Sequence, residues 1–217
     1  MWEIMKDDSG VKTLAPTSIL DINYFSTVEE PYQLDGKTIY PSNYEHSFIR
    51  NWLNNTFYDL AFSSSDKAKI QTTLVDNSED QCALTDGEDI MEDFTIADDY
   101  HDYLSTNTQD NVYLFSRKET LDFDFGYPTA LSYGKDIDVD KAGKPASEYA
   151  AARGALISDL NKNTDHPRSV NYYLRTPNLP NNFGISVQST SFEYGLRFSA
   201  NPCWTNIGVF PGISVKL

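Results

Sequence analysis

A chain of 217 residues with 40% hydrophobic and 13% aromatic content is long enough to bury a full core and too apolar for disorder. Its net charge of −15 argues against nucleic acid and anionic membranes as partners, since both need a cationic face. No run of about 20 apolar residues is present, so no membrane insertion is expected. The three Trp, 14 Tyr and 12 Phe exceed the needs of one core, which places some rings on the surface, as in proteins that bind sugars or other proteins.

In chain order, residues 2–5 and 11–16 read as strands around a turn at 7–10, and 19–25 as a third strand. The clearest signal is a helix over 43–60, with Ser42 as its cap and Glu45 completing a capping box. Ile49, Trp52, Leu53, Thr56, Phe57 and Leu60 form its apolar face. Ser63 to Asp66 starts a short second helix through about residue 70, and 71–75 is a strand. Residues 76–110 hold 12 of the 32 acidic residues and no Lys or Arg, which reads as an acidic surface excursion with a short helix near 97–104. Residues 111–116 return as a buried strand, and Phe123, Phe125 and Tyr127 cluster around a Gly-Tyr-Pro turn. A helix over 147–160, capped by Ser147, is the second main helix. Strands are expected at 170–175, 184–189, 196–200 and 213–217, with a turn at 206–208. The whole, 1–217, reads as a single domain.

The chemistry-bearing residues are sparse. His46, His101 and His166 sit in no nucleophile or zinc motif, and no G-x-S-x-G elbow exists. Cys82 and Cys203 lie 121 residues apart, compatible with one long-range disulfide or with two inert buried thiols. Asp136, Asp138 and Asp140 form a D-x-D-x-D run, but Lys141 and Ser147 occupy the Gly and Glu positions of a calcium loop. No cofactor is expected, and calcium is the one candidate ion. Arg50 and Arg175 each sit within otherwise apolar segments, so both are read, with Trp52, as structural residues. The loops 176–182 and 192–206 carry the candidate binding surface. There Phe192, Tyr194, Arg197 and Trp204 are hot-spot residue types, and Asn178, Asn182 and Asn206 supply hydrogen bonds.

Several segments in order resemble an uncharacterised bacterial surface-domain family. They are Trp2; Arg50, Trp52, Leu53 and Asn54, matching R-x-W-L-N; Ala61-Phe62; and residues 112–116. Residues 172–177 match W-W-L-R-S-P-G with Tyr172-Tyr173 for the two tryptophans, and Gly208-Val209-Phe210-Pro211 matches G-V-R-P with Phe210 in place of the arginine. The family is similar in its C-terminal strand to the C-type-lectin-like superfamily, which includes formylglycine-generating enzymes and the variable proteins of diversity-generating retroelements. The resemblance implies an α+β fold, C-type-lectin-like, with two main helices packed on a small twisted antiparallel sheet with long loops. It implies a non-catalytic recognition module on a bacterial cell surface or a phage particle, with a protein or carbohydrate ligand held by the C-terminal loops. The alternatives are a formylglycine-generating-type oxidoreductase, which needs a closely placed cysteine pair, or a structural domain of an envelope assembly.

Overall fold

The structure, a computed structural model, describes residues 1–82, 100–121, 144–155, 170–177, 183–189 and 196–216. The first sheet starts with β1 (Trp2–Asp8) and β2 (Val11–Pro16), an antiparallel hairpin closed at Ser9-Gly10, both with positive φ. β14 (Pro211–Lys216) lies against β2 and carries β6 (Ile70–Gln71) on its other side, with β9 (Tyr113–Leu114) pairing its first residues. The second sheet runs in the order β12 (Leu196–Pro202), β11 (Phe183–Ser189), β10 (Tyr172–Pro177), β13 (Ile207–Val209) and β3 (Asp21–Asn23). It is antiparallel except between β10 and β13.

Two separate antiparallel pairs complete the described sheets: the hairpin of β4 (Tyr32–Leu34) with β5 (Lys37–Ile39), and β7 (Thr73–Val75) with β8 (Thr108–Asp110), distant in sequence. The first turns at Asp35-Gly36, both with positive φ, a dipeptide suited to a tight hairpin.

Phe210 alone separates β13 in one sheet from β14 in the other, so the end of the chain stitches the two sheets together. The core lies between them. Ala15, Ile213 and Val215 come from the first sheet, Tyr172, Leu174 and Val209 from the second, and Ile49 and Leu53 from a helix. Gly208 is where β13 presses on the chain before β10: a Cβ there would sit 2.6 Å from the Asn171 carbonyl oxygen. Of the expected turn at 206–208, Ile207 and Gly208 are instead in a strand inside a sheet.

The expected C-type-lectin-like α+β arrangement of two main helices on one small sheet is overturned. The described residues are mostly strands in several small sheets, and only one helix among them exceeds seven residues. That helix spans 48–61 rather than 43–60 and has three parts: α over Phe48–Trp52, π over Leu53–Phe57 and α over Tyr58–Ala61. Its cap is Ser47, whose Oγ accepts from the Arg50 N–H at 3.2 Å. The π turn breaks the 3.6-residue phase. Ile49 and Leu53 are fully buried and Trp52 and Phe57 half-buried, but Leu60, expected on the apolar face, is 84% exposed.

The second expected helix is only Glu148–Ala152, capped by Ser147 as predicted. It stops because Gly154, at φ +94°, forms a Schellman closure: Gly154 N–H donates to Ala151 O and Ala155 N–H to Ala150 O, both at 3.0 Å. The Ser63 cap and its box with Asp66 are present, on a helix of four residues, Ser64–Lys67. The ends of the acidic stretch are packed: Cys82, Tyr103, Thr108 and Asp110 are all buried, and a 3-10 turn at Tyr100–Tyr103 lies where a short helix is expected. The aromatic cluster at Phe123, Phe125 and Tyr127 lies outside the described residues.

Leu53→Ala is expected to cost about 3–5 kcal/mol, because a fully enclosed side chain leaves a cavity. Trp52→Ala costs less than its ring size suggests, and Leu60→Ala changes stability by no more than about 0.5 kcal/mol. Urea denaturation of the three variants checks the order.

Candidate functional site

Arg175, on β10, is buried, and each guanidinium donor is used inside the protein. Nε and Nη2 reach the Asp76 carbonyl at 3.3 and 3.0 Å, Nη1 donates to the Leu114 carbonyl at 2.8 Å, and Glu119 takes both terminal nitrogens in a bidentate pair. Burial alone would disfavour the charge, but the Glu119 carboxylate outweighs it and holds the guanidinium more firmly protonated than usual. Glu119 is aimed by a capping box on the short helix Arg117–Leu121. The Ser116 N–H donates to its carboxylate at 2.7 Å, and the Glu119 N–H donates back to Ser116 Oγ at 3.1 Å. Thr176 Oγ1 accepts from the backbone N–H of Arg117, so the next residue of β10 is tied to the same helix. The S-x-x-E spacing of Ser116 and Glu119 is the sequence signal that could have named this partner.

Arg50 and Asn54 do a related task one helical turn apart. Arg50 Nε donates to Asp110 at 2.7 Å and Nη1 to the Glu45 carbonyl at 2.9 Å. Asn54 Oδ1 accepts from the N–H groups of Asn111 and Val112, while its amide donates to the Val112 carbonyl at 2.8 Å. Asn54 thus acts as a strand partner for residues 111–112. Burial pushes the Asp110 carboxyl above its ordinary range, partly offset by the Thr108 hydroxyl and Arg50. The R-x-W-L-N motif is accordingly a clamp between helix and strand.

The predicted binding loops divide. Asn178, Asn182, Phe192 and Tyr194 lie outside the described residues. Thr176 and Pro177 belong to β10, and Arg197 to β12, where its backbone pairs with Gln188. Within the expected loop 192–206, Leu196–Pro202 is therefore strand. Because Phe183 pairs with Pro202 and Ser189 with Leu196, residues 203–206 follow one end of this strand pair and Leu196 stands at the other. Seven strand residues separate the two ends, about 20 Å. Arg197 stands near the end remote from Trp204.

The edge at 201–206 is held firmly. The Tyr173 hydroxyl donates to the Pro202 carbonyl at 2.7 Å, with the Thr205 carbonyl at 2.9 Å as a second acceptor. The Thr205 N–H donates to the Pro202 carbonyl at 2.9 Å, and the Cys203 carbonyl accepts from the N–H groups of both Phe25 and Ser26 at 2.9 Å. Trp204 packs on the main core and keeps part of its surface open, as do Thr205 and Asn206. Burial pushes the Tyr173 and Tyr44 hydroxyls far above their ordinary range, so both stay protonated near neutrality. Neither can serve as a general base there. Sequence reasoning missed Tyr173, because an aromatic in a strand gives no sign of which carbonyl its hydroxyl will reach.

Beside Arg175, a narrow cleft lies between residues 77–82, Ser105 and residues 175–177, with room for roughly one water molecule. The Asn77 Oδ1 is buried without a hydrogen-bond partner. Cys82 packs with Tyr103, Tyr40 and Leu104, whereas Cys203 belongs to the main core, so the two thiols sit in separate clusters with no disulfide between them. Asp136, Asp138 and Asp140 lie outside the described residues. Among the described residues no three His, Cys, Asp or Glu side chains gather as metal ligands, and no helix is long and apolar enough to cross a membrane.

The chain belongs to the family described as "Domain of unknown function (DUF6273)", whose sequence profile matches residues 14–216. No curated protein and no solved structure matches it.

Glu119→Gln, which strands the Arg175 charge, is expected to cost about 3–5 kcal/mol, whereas the double variant Arg175→Met, Glu119→Leu costs less than the sum of the two single changes. A thermodynamic cycle by chemical denaturation checks this.

Proposed function

We propose that this member of the DUF6273 family is a non-catalytic recognition module, binding a protein or glycan at the sheet edge formed by residues 201–206. The observation that carries the reading is the bracing beneath that edge. Three backbone carbonyls of a six-residue segment, those of Pro202, Cys203 and Thr205, are held by the Tyr173 hydroxyl and by two N–H groups of a distant segment. A segment that is already ordered loses little entropy when a ligand docks, so its exposed groups convert efficiently into affinity.

The exposed groups suit recognition. Trp204 offers part of an aromatic ring and Asn206 an amide, the pairing that stacks on a sugar face and hydrogen-bonds its hydroxyls, or that anchors a peptide. The two arginines inside the family-like motifs spend their donors on the fold. The two thiols lie in separate clusters rather than as the close pair that formylglycine-type oxidation needs. Display on a bacterial cell surface, or on a phage particle, goes with this reading and rests on the motif resemblance. A neighbouring reverse-transcriptase gene with a near-duplicate of the C-terminal coding segment would identify a diversified binder.

The purified domain should give hits on a glycan array or a panel of bacterial envelope proteins. Asn206→Ala then weakens those hits about tenfold with the melting temperature unchanged. Tyr173→Phe weakens them severalfold and lowers stability by about 1 kcal/mol, since only the brace is lost. Hits that both variants and Trp204→Phe retain at full strength would remove the site from this edge.

A further inference from the structure

A second surface, far from the C-terminal edge in sequence, is built from rings. Trp52 meets Phe57 at 5.3 Å between ring centroids, Phe57 meets Phe62 at 5.9 Å, and Phe62 meets Trp2 at 5.7 Å and Tyr58 at 5.9 Å. All five rings pack on the core from one side and are only partly covered on the other. Ile4, two residues from Trp2 and on the same face of β1, is 57% exposed, and Leu60, one helical turn from Phe57, is 84% exposed. Large apolar side chains left open beside a row of rings are the composition of an interface centre.

The distribution of charge says what can cover it. The segments that build this face, residues 1–16 and 48–75, contain five acidic and five basic side chains, so the whole charge of −15 resides in the remainder of the chain. Within them, Lys6 pairs with Asp8, Lys12 with Asp7, and Lys67 with Asp59, the Lys67 ammonium also lying 4.8 Å from the Tyr58 ring centre. The segments that bear the rings therefore carry no net charge. On an acidic protein, this neutral face is where two copies can meet without mutual repulsion.

We propose that the face formed by Trp2, Ile4, Phe57, Leu60 and Phe62 is a two-fold contact between two copies of this chain. The ring row of one copy lies against that of the other. The C-terminal edges stay free, so a dimer would present two ligand sites at once and gain avidity toward a repetitive surface.

Sedimentation velocity on the purified chain across the micromolar range tests this, with Ile4→Lys and Leu60→Asp as variants. Both positions are exposed, so the fold is left intact and circular dichroism melting should be unchanged. The wild type is expected to sediment as a dimer that dissociates on dilution, and each variant to weaken the dimer about tenfold or more. A wild type that stays monomeric at the highest concentration overturns the proposal. So does a dimer that both variants leave unchanged, which would place the contact elsewhere, and so does one that dissolves in high salt, which would show that ion pairs rather than rings hold it.

Discussion

The pair between Arg175 and Glu119 is the constraint on which the rest depends. A guanidinium with almost no access to water is stable only if every donor finds an acceptor, because an uncompensated buried charge costs several kcal/mol. Those acceptors come from four separate places: the carbonyls of Asp76 and Leu114, the Gln81 side chain and the Glu119 carboxylate. Satisfying one side chain therefore fixes β10, β9, the turn at Glu79–Cys82 and the helix Arg117–Leu121 against one another. Ser116 extends the arrangement by donating from its hydroxyl to Gln81 at 2.8 Å. The stretch around Asp76 is acidic in sequence, yet it is held here through a backbone oxygen.

The seam between the two sheets is solved with rings. Phe210, where the family-like motif has an arginine, is fully buried and meets Tyr172 at 5.0 Å and Phe115 at 5.9 Å. The cation at this place comes instead from Lys144, whose ammonium lies 5.1 Å from the Phe210 ring centre and pairs with Glu3. The β14 strand can enter at this point because Gly212 leaves room for the Phe115 ring, only 2.8 Å from where a Cβ would be. Aromatic bulk and the absence of a side chain are thus matched across one contact. The same logic runs outward to the braced edge, where Tyr173 packs its ring on Phe25 at 5.4 Å and sends its hydroxyl to the 202–205 turn. Rigidity at the surface is inherited from ring packing in the core.

Some of this was legible in the residues themselves, where the signal is local. The hairpin of β1 and β2, the caps at Ser63 and Ser147, the buried strand residues Val112 to Phe115 and Tyr172 to Leu174, and the structural role of Arg50 and Arg175 all follow from short-range pattern and polarity. Of the candidate site, Trp204 and Asn206 were proposed from residue type. That Arg197 lies within a strand, away from Trp204, was not, since it depends on the pairing between β11 and β12.

Sequence alone determined which residues are apolar enough to be core, where chain reversals fall and which charges must be paired. Tertiary structure decided between competing local solutions. Ser42 and Glu45 read as a capping box, but Tyr44 N–H finds Ser105 Oγ at 3.0 Å, Asn43 reaches the Leu104 carbonyl, and the Glu45 carboxylate accepts from the Thr106 N–H at 3.3 Å. With those groups engaged about 60 residues away, the helix starts at the next available cap, Ser47. The same is true of strand order, of the acid each arginine meets and of the short second helix. Each is a choice among hydrogen-bond partners of similar intrinsic strength, and such choices are settled by which partner the rest of the fold brings within 3 Å.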